Sequence, residues 1–157
     1  MKRAFTLIEL IIATIIIAIV VGLAIPMFSD QSAGRLIAAK HRLWADIQYA
    51  QAWTIANPSN PAKIRFLSDG YIIEGPPDAG TVRFNQNGFS EATGVMVTVS
   101  DVPAGGIPFN HSGALNIGLD APEPRIHLST GIGTESIDLV LQPTSGQIRS
   151  ENAIGFP

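Results

Sequence analysis

The sequence predicts an α+β chain. A long N-terminal helix crosses a membrane with its first half, bends near Pro26, and packs its second half on an antiparallel two-sheet β domain. Three observations predict it. Residues 5–25 are apolar apart from one charge. Residues 28–56 carry an apolar stripe at helical spacing. From residue 62 onward, short apolar runs alternate with clusters of Gly, Pro, Ser and Asn, as in strands joined by turns.

The first element is FTLIELIIATIIIAIVVGLAI, 21 residues whose only charge is Glu9. As a helix at about 1.5 Å per residue it measures roughly 32 Å, close to the apolar thickness of a bilayer. Lys2 and Arg3 precede it, and positive flanks stay on the cytoplasmic side. A secretory signal peptide fits poorly. Its apolar core is shorter, about 7–15 residues, and Gly22-Leu23-Ala24-Ile25-Pro26 is a poor small-x-small cleavage site. A plain signal anchor fits the length but leaves Glu9 without a reason. A carboxylate in an apolar span costs on the order of 2–3 kcal/mol or more unless it is neutralised or paired.

Ala4-Phe5-Thr6-Leu7-Ile8-Glu9-Leu10 resembles the processing site of type IV prepilins and pseudopilins. The resemblance implies that a prepilin peptidase cuts between Ala4 and Phe5 and that the new Phe5 amine is methylated. Glu9 then becomes the fifth residue of the processed chain and Pro26 the twenty-second, both at family positions. The chain departs from the family at Ala4, where glycine is usual; alanine is the smallest replacement. The implied organisation is a leader at 1–4, a transmembrane and filament-core half-helix at 5–27, and a periplasmic globular domain at 28–157. Phe5, Glu9 and Pro26 are the implied assembly residues. One subunit's Glu9 would neutralise a neighbour's Phe5 amine, since each charge alone is costly in a low-dielectric layer. Such a pair sets axial register, as a buried polar residue does in a coiled coil. Ile15-Ile16-Ile17 supply apolar packing surface, and before assembly the same side chains suit contact with lipid.

Pro26 lacks an N–H and should kink or loosen the helix. The helical pattern resumes near Phe28. Leu36, Leu43, Ile47 and Ala50 share one face, with Ile37 and Trp44 widening it and Gln31, Arg35, Arg42 and Asp46 opposite. Asn57-Pro58-Ser59-Asn60-Pro61 ends the helix. Trp44 and Trp53 are expected at the core or its rim. Strands are expected near 62–68, 71–75, 80–85, 94–100, 114–118, 125–129, 136–142 and 147–149, with turns at Ser68-Asp69-Gly70, Gly75-Pro76-Pro77-Asp78, Asn87-Gly88 and Ser145-Gly146. There is no internal repeat. Together with the N-terminus, the helix tail, the Phe109-x-x-x-Gly113 step and the segment Leu139-Val140-Leu141-x-Pro143-x-x-Gly146-x-Ile148 resemble the GspH/FimT family of minor pseudopilins and minor pilins.

Chemistry finds little support. The absence of cysteine excludes disulfides and thiolate metal sites. His41, His111 and His127 have no metal-pair spacing. Ser112 beside His111 is not in a nucleophile elbow. Asp101, Asp120 and Glu123 sit in Gly/Pro-rich loops and could hold Ca²⁺, although scattered carboxylates more often form a solvated rim. No cofactor and no catalytic or metal residue is expected. Some FimT-like pilins bind DNA through arginines near the C-terminus; here the tail from 144 to 152 holds Arg149 beside Glu151. Loss of Lys2 and Arg3 takes the 10 basic residues to 8 against 13 acidic, a net −5. Nucleic-acid binding needs several clustered cations and is not expected.

The expectation is therefore a non-enzymatic filament subunit: a minor pseudopilin of a type II protein secretion system, spanning the bacterial inner membrane once. Its partners would be other pseudopilins or pilins, the prepilin peptidase and an inner-membrane assembly platform. The alternatives are a minor pilin that primes type IV pilus assembly and a membrane-anchored periplasmic ligand-binding domain.

Overall fold

The computed structural model of the chain describes residues 7–29, 31–78, 80–84, 92–118, 120–130 and 135–151; side-chain surroundings are described for 7–20 and, within the remaining segments, from 32 onward. The chain divides into two compact units, Met1–Gln31 and Ser32–Pro157.

The first unit holds α1, Leu7–Ser29. α1 runs unbroken through Pro26 to Ser29, and α2 (Gln31–Ala56) begins two residues later. One proline removes one helical hydrogen bond and need not end a helix. Residue 30, which separates the two helices, lies outside the described residues.

In the second unit α2 lies against two four-stranded antiparallel sheets. The strands are β1 (Lys63–Leu67), β2 (Gly70–Glu74), β3 (Thr81–Arg83), β4 (Val95–Ser100), β5 (Ile107–Pro108), β6 (Arg125–Thr130), β7 (Ser136–Leu141) and β8 (Ile148–Ser150). One sheet has the order β3-β2-β1-β5 and the other β4-β6-β7-β8. A Val97 N–H to Ser68 carbonyl bond of 2.9 Å ties β4 to the turn between β1 and β2.

The buried stripe of α2 is Leu36, Ala39, Leu43, Ile47, Ala50 and Thr54, each without exposed surface. Their spacings of three and four keep them on one side of the helix. They meet Ile64, Tyr71 and Ile107 from the first sheet and Val95, Ile126, Leu128, Leu139 and Leu141 from the second. Strand alternation delivers these residues: β6 alternates along its whole length between exposed or half-buried and buried positions. Trp44 and Trp53 are half-buried and packed against this core. Ile37 does not widen the stripe, since 38% of it is exposed.

Thr54 shows how the helix end is joined to the sheet. Its hydroxyl donates to the Ala50 carbonyl (2.8 Å) and accepts the Ala62 N–H (2.8 Å), so one buried polar side chain serves both the last turn and the strand entry. Trp53 Nε1 donates to the Asn60 carbonyl at 3.1 Å, fastening the turn that follows.

Two strand expectations differ from the structure. Residues 114–118 form no strand, only an isolated bridge between Phe109 and Leu115. The Asn110 side chain accepts the N–H groups of Ser112 (2.9 Å) and Ala114 (3.1 Å), and Gly113 adopts φ +81°. This segment therefore commits its donors to a turn. The short β5 at Ile107–Pro108 escaped the sequence pattern, as a two-residue strand ending in proline has no alternation to detect.

Candidate functional site: the exposed N-terminal helix and the converging loops

Of the expected assembly residues, Glu9 lies on α1. It is exposed, as is every described side chain from Leu7 to Val20. Leu7 is 77% exposed, and the least exposed of the large apolar residues, Ile11, still shows 46%. Apolar side chains thus surround the helix on all sides, and a continuous apolar surface of this kind marks an interaction surface. The processing residues Ala4 and Phe5 lie outside the described residues, and Pro26 falls where only the backbone is described. Among the described residues, no helix is long and apolar enough to cross a membrane. The expectation of a span draws on residues 5–25, which extend beyond the described side chains at both ends.

In the second unit, the two patterns of the resemblance meet in space. Phe109 is buried and begins the turn that reaches Gly113; Gly146 lies beside it. A Cβ on Gly146 would stand 2.4 Å from the Gly113 carbonyl oxygen and 2.5 Å from Gln51 Nε2. Gln51 Nε2 donates to the Gly146 carbonyl at 2.6 Å, and the Leu115 N–H to the Pro143 carbonyl at 3.1 Å. Only glycine fits such a close backbone approach at φ +68°. The meeting point lies on the last turns of α2, and it builds structure rather than presenting reactive groups.

The other candidate polar residues of the sequence lie apart from one another. Ser112 Oγ donates to Asn110 Oδ1 at 2.6 Å within the capped turn. His127 Nδ1 lies 2.5 Å from Asp138 Oδ1, across the β6–β7 pair. His41 and His111 are exposed on separate elements. Asp101 and Asp120 are exposed, and Glu123 Oε2 is 3.6 Å from Arg149. Among the described residues no group of three His, Asp or Glu side chains is arranged to hold a metal ion. Arg149 contacts Glu151 at 2.6 Å, and Arg125 contacts the other Glu151 oxygen at 2.6 Å. Hydrogen bonds from Arg125 and Arg149 hold the Glu151 carboxyl below its ordinary range. The arginine of the C-terminal segment is thus embedded in an alternating charge cluster.

One polar link was not anticipated. Asp46, expected on the outer side of α2, is partly covered and accepts the Tyr71 hydroxyl (2.6 Å) and Arg42 Nε (3.0 Å). Tyr71 is fully buried, edge-to-face with Phe84 at 5.9 Å between ring centroids. Burial, with the Asp46 carboxylate second, pushes the Tyr71 hydroxyl well above its ordinary value. The i,i+4 spacing of Arg42 and Asp46 is visible in the sequence, but nothing there marks the tyrosine as their third member.

Residues 1–25 match the model of the prokaryotic N-terminal methylation motif. The match takes in Ala4, Phe5, Glu9 and the apolar run, and stops one residue before Pro26. No curated protein and no solved structure gives a significant match. The N-terminal methylation motif is a type IV pilin-like feature.

Proposed function

We propose that the chain is a non-enzymatic filament subunit, a minor pseudopilin of a type II protein secretion system in the GspH/FimT family. The observation that carries this reading is the methylation motif on residues 1–25, continued by a helix whose described side chains are all exposed and nearly all apolar. A folded domain that buries its own core needs no such helix for stability. A subunit that assembles through it does.

In this reading the precursor lies in the inner membrane with Lys2 and Arg3 in the cytoplasm. Prepilin peptidase cuts between Ala4 and Phe5 and methylates the Phe5 amine. The inner-membrane assembly platform then stacks the helices, each Glu9 neutralising a neighbour's Phe5 amine while the apolar side chains of α1 pack between subunits. The second unit faces the periplasm.

Mass spectrometry of membrane-extracted protein tests the first step. The expected species begins at N-methylated Phe5. Intact Met1, or a terminus after residue 22, overturns the reading. Deleting the gene then separates the two filament types: loss of protein secretion with intact pili supports the pseudopilin, and loss of pili with intact secretion supports a minor pilin.

A further inference from the structure

One side of α2 stays outside the buried stripe. Lys40, His41, Trp44, Gln48 and Gln51 follow one another at spacings that keep them on one side of the helix. Two hollows lie along them. One, about 440 Å³, is lined among the described residues by Lys40, His41, Trp44, Ala45 and Gln48. The other, about 320 Å³, lies between Trp44, Gln48 and Gln51 on the helix and the Ser145–Ile148 segment. Both volumes fall in the range of about 300–1,000 Å³ usual for small-molecule sites. Trp44 and Gln48 line both, so the hollows adjoin at the indole, which the core covers only in part.

The chemistry of the second hollow is neutral. Its described lining is an indole, the side chains of Gln48, Gln51 and Gln147, a serine, a glycine and an isoleucine. Gln48 and Gln147 are exposed, and their amides have no hydrogen-bond partner among the described residues. Gln51 commits its Nε2 to the Gly146 carbonyl at 2.6 Å and keeps Oε1 as an acceptor. The backbone of the facing wall is largely used. Gly146 N–H donates to the Gln142 carbonyl at 2.8 Å, Gln147 N–H to Ser145 Oγ at 3.2 Å, and the Gln147 carbonyl accepts the Gln142 N–H at 2.9 Å.

These features select among ligands. An extended peptide docks through a row of free main-chain donors and acceptors, and the turn offers no such row. A phosphate or nucleic acid needs clustered cations, and Lys40 stands in the other hollow. A pyranose matches. Its C–H face is apolar and suits an indole, while the hydroxyls around its rim donate and accept, as side-chain amides do. The continuation past Trp44 leaves room for the next unit of a chain.

We infer that this groove binds an oligosaccharide. One neutral pyranose lies between Trp44 and the Ser145–Ile148 turn, hydrogen-bonded by Gln48, Gln147 and Gln51 Oε1, and the following unit lies along Lys40 and His41. The site belongs to the second unit and does not depend on whether α1 assembles.

Titration calorimetry on the full-length protein tests this, in a detergent whose headgroup is not itself a sugar. The probes are cellohexaose, built of glucose, and chitohexaose, built of N-acetylglucosamine. The expected result is saturable binding of at least one. Preference for the acetamido sugar points to cell-wall glycan as the source, and preference for glucose to a polysaccharide from outside the wall; either supports the site. Trp53→Phe leaves Trp44 as the only tryptophan, and its emission should change on titration. Gln48→Ala combined with Gln147→Ala, both exposed, should weaken binding by about tenfold or more while leaving the urea midpoint unchanged. No binding of either probe overturns the inference. So does binding that leaves Trp44 emission unchanged, or that the double replacement does not weaken.

Discussion

Leu43 sits midway along the buried stripe of α2 and exposes nothing to solvent. Leu43→Ala removes its packed methyl groups and leaves a cavity, a loss of about 2–5 kcal/mol. Urea denaturation should show a lower midpoint with an unchanged slope. Tyr71 makes a different kind of contribution. Its hydroxyl donates to a carboxylate, and hydrogen bonds to charged groups contribute about 1.5–3 kcal/mol, so Tyr71→Phe should cost an amount in that range at neutral pH. The pH dependence has a definite sign. The folded hydroxyl titrates above its ordinary 10.0, so its contribution is complete below that value and is lost as pH rises beyond it. Between pH 9 and pH 11 the wild-type midpoint should therefore fall more steeply than that of Tyr71→Phe. Equal slopes would remove the assigned role of the tyrosine.

Gly146 belongs to the scale of elements, because it is where the β7–β8 connection touches the Phe109–Gly113 turn and the end of α2. An alanine there meets a backbone oxygen at 2.4 Å, which cannot rotate away. The left-handed conformation adds roughly 1–2 kcal/mol. Gly146→Ala should lower the midpoint by more than that backbone term alone, whereas Gly80→Ala, with nothing within 4 Å of its Cβ, should change little. At this scale the sequence was most readable where one period dominates. The stripe Leu36-Leu43-Ile47-Ala50 became the buried side of α2, and the alternation in Ser136–Leu141 became β7. Legibility failed where a few side chains override the pattern. Asn110 captures the donors of 112–114 and turns an apparent strand into a loop, and a buried tyrosine draws Asp46 in from the expected outer side. The hollow between Trp44, Gln48 and Gln51 of α2 and the Ser145–Ile148 segment was not legible either, since its walls come from segments about a hundred residues apart. The methylation motif was readable because it is contiguous: Ala4, Phe5 and Glu9 fall within ten residues.

At the scale of the whole molecule, burial is divided unequally. The second unit encloses its own core, while the described part of α1 leaves its apolar side chains exposed around the helix. In the proposed reading their cover comes from lipid or from other subunits, and Glu9 distinguishes the two. In lipid alone the carboxylate is a cost, on the order of 2–3 kcal/mol, and Glu9→Leu removes it. A simple anchor would then insert at least as well as the wild type and lose nothing. In a bundle of like helices the same substitution deprives a neighbour's Phe5 amine of its partner, and an unpaired charge in a low-dielectric bundle is strongly destabilising. The expected outcome for Glu9→Leu is normal cleavage and membrane insertion, reduced cross-linking between cysteines introduced into neighbouring helices, and loss of secretion or piliation. A subunit at the extreme tip has no neighbour above and keeps only the contacts below, so placement there weakens the effect without changing its sign. Wild-type cross-linking and full activity in Glu9→Leu would show that the carboxylate sets no register, and α1 would then be an anchor.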